Sequence, residues 1–122
     1  MPAAALTRVR ALCLALPSVT EAPTHGAPTW FAGGRRSFAK YVDPAEHHVD
    51  EETGPALWAA APPGARHQLV AADPERFFAP RFGGSAWVGV RLAHPDWAEV
   101  AEILEDAYRQ VAQRHLVERI GS

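Results

Sequence analysis

The chain has 122 residues, a hydrophobic fraction of 48%, a charged fraction of 21% and a formal net charge of −2. That length and balance fit one globular domain with its own core and argue against disorder, and the slight acidity argues against strong non-specific attraction to nucleic acid. No apolar run reaches the roughly 18 residues of a membrane span, and the single cysteine, Cys13, rules out an intramolecular disulfide and a cysteine-rich zinc site.

The opening stretch MPAAALTRVRALCLALP is apolar, but Arg8 and Arg10 interrupt it and no small-residue cleavage site follows. The expectation is therefore a soluble cytoplasmic protein. Leu6, Val9, Cys13 and Leu16 recur at spacings of three and four, one face of a helix over Ala3–Leu16. Pro17 ends it, because proline disfavours helical geometry in the residue before it. Cys13 falls on the apolar face and reads as a buried, inert thiol.

From Glu21 to Val42, Pro23, Gly26, Pro28 and the Gly33-Gly34 pair punctuate short runs holding Trp30, Phe31, Phe38, Tyr41 and Val42. Aromatic and β-branched residues bounded by glycine and proline read as strands. TWFAGGRRSFAKYV reads as a hairpin, since Gly-Gly accepts the positive φ angles of a tight turn. Asp43–Pro55 is polar and acidic, an exposed loop, and ALWAAA at Ala56–Ala61 reads as a further strand. Pro62-Pro63-Gly64 opens a short helix near Ala65–Ala72. Asp73 reads as an N-cap, with Pro74 at the first position of a helical turn that Pro80 stops.

Gly83-Gly84 leads into Ala86–Leu92, where Val88, Val90 and Leu92 alternate with Trp87, Gly89 and Arg91, a half-buried strand. Asp96 and Glu99 form a capping-box-like pair for a last helix. Its apolar face is Trp97, Val100, Leu104, Ala107, Tyr108 and Val111, and its acidic residues precede Arg109 and Arg114 as the helix dipole favours. Residues 1–113 form one domain in this reading, and 114–122 a C-terminal tail. The class is α+β: a two-layer, mainly antiparallel sheet backed by N-terminal and C-terminal helices, its other face partly open.

LPSVTE at 16–21, HGAPTWFAGGRRSFA at 25–39, ALWAAAPPG at 56–64, ADPERFFAPRFGGSAWVGVRL at 72–92 and DWAEVAEILEDAYRQVA at 96–112 together resemble the MmcQ/YjbR family. The match is colinear, covers nearly the whole chain and is weakest through 44–54. The resemblance implies a frataxin-like (CyaY-like) fold. It also implies the DNA-binding label that family members carry, through a double wing of hairpins. Here the wings are the hairpin around Gly33–Arg36 and the segment around Arg81–Gly84.

For that reading the candidate phosphate contacts are Arg35, Arg36, Lys40, Arg81 and Arg91, with Gly83 and Gly84 letting backbone amides approach. A second reading takes His25, Trp30, Trp58, Trp87 and Arg91 as an aromatic groove on the open sheet face. Such a groove suits a planar small molecule or a peptide, with Arg91 fixing an anionic group. His47-His48 with Asp50, Glu51 and Glu52 resembles a metal site only superficially, because adjacent residues of an extended chain point to opposite faces. No serine or threonine sits in a nucleophile motif, and neither Gly-Gly pair is followed by a phosphate-loop lysine. The sequence thus reads as a binding protein and not an enzyme, with no cofactor and no metal. Its partner is DNA, a small aromatic or anionic ligand, or a protein, without a membrane.

Overall fold

The structure, a computed structural model, describes residues 3–34, 36–43, 55–80 and 86–120. It contains helix α1 (Ala3–Leu14), strands β1 (Val19–Thr24), β2 (Ala27–Ala32), β3 (Arg36–Val42) and β4 (Ala56–Ala60), and helix α2 (Ala65–Ala72). Strands β5 (Phe77–Phe78) and β6 (Trp87–Arg91) and helices α3 (Trp97–Val111) and α4 (Arg114–Ile120) complete it. The six strands form one sheet in the order β1-β2-β3-β4-β6-β5, every neighbouring pair antiparallel. The fold is therefore α+β, as the order of elements predicts. No helix among the described residues is long and apolar enough to cross a membrane.

Burial sorts the sheet into two faces. On the helix-backed face Val9 and Cys13 of α1 and Val100, Leu104, Ala107 and Tyr108 of α3 pack against Trp30, Phe38, Tyr41, Leu57, Val88 and Val90. Each large aliphatic or phenylalanine side chain so withdrawn from water contributes about 1.5–3 kcal/mol. Phe38 meets Tyr108 edge to face, with ring centroids 5.5 Å apart, and the Tyr108 hydroxyl donates to the Pro17 carbonyl at 2.6 Å. Cys13 lies at the centre of this layer, where burial pushes its thiol well above the ordinary range. The Asp96 carboxylate caps α3 by accepting from the backbone N–H groups of Ala98 and Glu99, while the Glu99 side chain pairs with Arg76.

An irregularity in β3 decides which residues face which way. Trp30 stands opposite Ala39 but Phe31 opposite Ser37, so β3 carries one extra residue, Phe38. A bulge of this kind reverses the alternation beyond it. Both Phe38 and Tyr41 therefore reach the helix-backed core, and Lys40 is sent to the far face.

Three sequence expectations need correction. Asp73 is the C-cap of α2, its N–H returning to the Leu69 carbonyl, and only one turn follows before the chain becomes extended. Phe77 and Phe78 then form β5, because the two rings bury on opposite faces there and one more helical turn could not place both. Beyond residue 113 the chain does not trail away as a tail: α4 follows, and its Leu116 is buried in the main core. Strand β1, not separately recognised, is an edge strand, the position that tolerates Pro23.

Edge strand β1 is pinned by a polar cluster. Glu21 accepts from Arg10 Nε and Nη2 at 2.8 and 2.9 Å and from the Trp30 indole Nε1–H at 2.9 Å. The Arg10 hydrogen bonds, reinforced by that of Trp30, hold its carboxyl below the ordinary value of 4.5. A lowered folded-state pKa means the cluster stabilises the fold above 4.5 and loses that contribution as pH falls through the lower folded value. The wild-type urea midpoint should therefore fall more between about pH 5 and about pH 3 than that of Glu21→Gln. Equal acid sensitivity of the two proteins would show that Glu21 carries no such linkage.

Candidate functional site

Residues directly opposite one another across antiparallel strands share a face. One such row crosses the whole sheet on the far side: Ala22, Thr29, Lys40, Trp58, Gly89 and Phe78, one residue from each strand. Around it, Ala27, Val42, Ala56, Trp58 and Phe78 form a second buried cluster, with Trp87 packed partly against it. The far face thus carries a second apolar cluster, and a hollow lies beside it. This hollow of about 240 Å³ is lined by Thr24, His25, Thr29, Lys40, Trp58 and Trp87, together with Ser37.

Each member has a local reason for its place. His25 and Gly26 both have positive φ, 51° and 82°, and form the two-residue turn between β1 and β2 that brings Thr24 beside Thr29. The two threonine hydroxyls lie 2.5 Å apart, and Thr29 also donates to the Ala27 carbonyl at 3.1 Å. Lys40 reaches the hollow because of the bulge, and its ammonium lies 5.8 Å from the centroid of the Trp58 ring. Burial alone lowers its pKa from the ordinary 10.5, since an ammonium is costlier to hold away from water than an amine. Trp58 is 6% exposed, and its indole N–H is buried without a hydrogen-bond partner. Buried donors are nearly always paired with protein or ordered water, so this N–H stands out among the described residues.

The sequence-derived candidates separate on this frame. His25, Trp58 and Trp87 line the same hollow. Trp30 does not: it is fully buried on the helix-backed face, held by Glu21. Arg91 lies on the far face opposite Ala56, but its guanidinium is stacked 4.8 Å over Phe78 and donates to the Pro74 and Glu75 carbonyls at 3.0 and 3.1 Å. It clamps the turn before β5 and does not line the hollow. Arg36, exposed at the start of β3, borders a different hollow with Gly33, Gln113 and Leu116 on the helix side. Arg35, Arg81, Gly83 and Gly84 lie outside the described residues, as do His47, His48, Asp50, Glu51 and Glu52. Of the described basic residues of the DNA reading, Lys40 and Arg91 share the far face, while Arg36 borders the helix side.

Sequence reading missed Thr24, Thr29 and Ser37 and treated Lys40 only as a phosphate contact. The signal for Lys40 and Thr29 was the hairpin itself, whose pairing makes them opposite once the bulge is counted. A larger hollow of about 960 Å³ lies between α1 and the segment before α3, bordered by Ala4, Ala5, Ala11, Leu92 and Trp97. It is broad and mainly apolar, and the Arg8 guanidinium at its edge is stacked 5.4 Å over Trp97. The smaller hollow has the convergent polar groups that recognition requires.

The family model YjbR matches residues 14–110. The chain belongs to the YjbR family. The crystal structure of Deinococcus radiodurans protein DR2400, of the domain DUF419, is similar at a TM-score of 0.72 and 16% identity, covering 95% of this chain and 87% of that one. At that identity the likeness shows the fold. Comparison with curated proteins finds no match.

The floor of the far face offers a test of this packing. A Cβ on Gly89 would overlap the Phe78 ring, so glycine there is a steric requirement and not a conformational one. Gly89→Ala should cost about 1–3 kcal/mol, read as a lower urea midpoint. An unchanged midpoint would mean that Phe78 is not seated on β6.

Proposed function

We propose that this YjbR-family protein is a non-catalytic binding module whose working surface is the far face of the sheet, with the hollow between Lys40, Trp58 and Trp87 as its ligand seat. The observation that carries this reading is the buried, unpartnered indole N–H of Trp58 beside the only lysine of the chain. Two indoles supply flat apolar surface, and an ammonium and an N–H supply direction, the usual composition of a small-molecule site. At about 240 Å³ the hollow is smaller than a drug-sized cleft and suits a single ring system. Its threonine hydroxyls bond each other and a carbonyl, an arrangement that serves positioning and leaves neither poised as a nucleophile.

DNA association through the hairpin wings is the second reading, favoured by exposed Arg36 at the end of the β2–β3 hairpin. Lys40 and Arg91 give it less support, since one covers Trp58 and the other clamps the turn before β5.

Two titrations separate the readings. With a panel of nucleotides and aromatic carboxylates followed by amide and indole NMR, the ligand-seat reading predicts shifts concentrated at Thr29, Lys40, Trp58 and Trp87. No response there from any compound would defeat it. With a mixed-sequence duplex followed by anisotropy, five phosphate contacts would give a log–log salt slope of about −4 to −5. That slope would establish the DNA reading, and the ligand-seat reading predicts its absence.

A further inference from the structure

We infer that the ligand of this hollow carries a carboxylate, which takes the Trp58 indole N–H and the Lys40 ammonium as its two donors while its ring lies against the neighbouring indoles. The inference rests on the ligand-seat reading and adds the chemistry of the occupant.

The donor inventory of the hollow leads to it. An indole nitrogen can only donate, and so can an ammonium. Trp58 Nε1–H has no partner, and Lys40 Nζ has the face of the same indole, so both call for an acceptor from outside. The opposite wall differs in kind. Thr29 spends its one hydroxyl hydrogen on the Ala27 carbonyl, so the hydrogen between the two threonines belongs to Thr24. Both hydroxyls are then used as donors, and the Thr24 oxygen offers the hollow only lone pairs. An anionic group is thereby directed away from the threonines and towards Lys40 and Trp58.

One ammonium and one neutral N–H match the two oxygens of a carboxylate. A phosphate group is better served by arginine forks or clustered backbone N–H groups. The indole N–H is covered in the unliganded protein, and Lys40 lies over the same ring. When the Lys40 ammonium turns from the ring towards an anion, it exchanges a ring contact for a charge-assisted hydrogen bond.

The test uses the full-length protein and three probes: benzoate, its neutral isostere benzamide, and inorganic phosphate. Binding is followed at the Trp58 indole signal, identified by its loss in Trp58→Phe, and in parallel by amide shifts. Benzoate should bind about tenfold or more tightly than benzamide and move the Trp58 indole proton downfield. Lys40→Met should weaken benzoate by about tenfold and benzamide far less, Trp58→Phe should weaken both, and Lys40→Arg should retain benzoate. Lys40 is only partly buried, so Lys40→Met remains informative should Trp58→Phe fold poorly. Equal binding of benzoate and benzamide in the hollow would overturn the carboxylate and leave the ligand seat standing. Phosphate moving the indole signal where benzoate does not would also overturn it. Absence of all three probes from the hollow would remove both inference and seat.

Discussion

The extra residue in β3 is the constraint on which the two-faced character of this protein depends. A strand of strict alternation puts Phe38 and Lys40 on one side of the sheet. Inserting one residue opposite the Trp30–Phe31 step lets Phe38 and Tyr41 both enter the helix-backed core and sends Lys40 to the far face. The main core gains two aromatic rings in this way without an ammonium being buried among them. The same irregularity sets a cation beside Trp58, so one local feature of the backbone serves both stability and the candidate site.

The tryptophans show how residues of one type divide between the faces. Trp30 gives its indole N–H to Glu21, which is itself held by Arg10, and the three join α1, β1 and β2 into one corner. Trp87 stands half-buried at the edge of the second cluster. Trp58 is nearly as deep as Trp30 but has no acceptor for its N–H. Burial of a donor without a partner lowers stability, which sets Trp58 apart from Trp30. Arg91 and Phe78 complete the contrast, since their stacking holds β5 and the turn before it against β6, away from the hollow.

Much of this arrangement was legible in the sequence. The 3.6-residue period of α3, its Asp96 cap, the glycine turn between β2 and β3 and the alternation of β6 each follow from local chemistry that tertiary packing did not override. Other elements lacked such a signal. The run VTEAPT of β1 carries a proline and is exposed over most of its length, and only its place at the sheet edge makes it a strand. Phe77-Phe78 and the seven residues of α4 are too short to display a period, and their structure comes from what they bury. Placing Trp30 with Trp58 and Trp87 failed for a sharper reason. The relative facing of residues on different strands depends on register, and a single bulged residue reverses it.

Lys40, as the only lysine, can be observed alone by 13C labelling of lysine, and its ε-carbon resonance followed through an alkaline titration tests the central claim most directly. With the bulge setting it against Trp58, its folded-state midpoint lies below 10.5 and its resonance is displaced by the indole ring, both effects vanishing in urea. A folded midpoint at 10.5, with a resonance that coincides with that of the unfolded chain, would contradict the account.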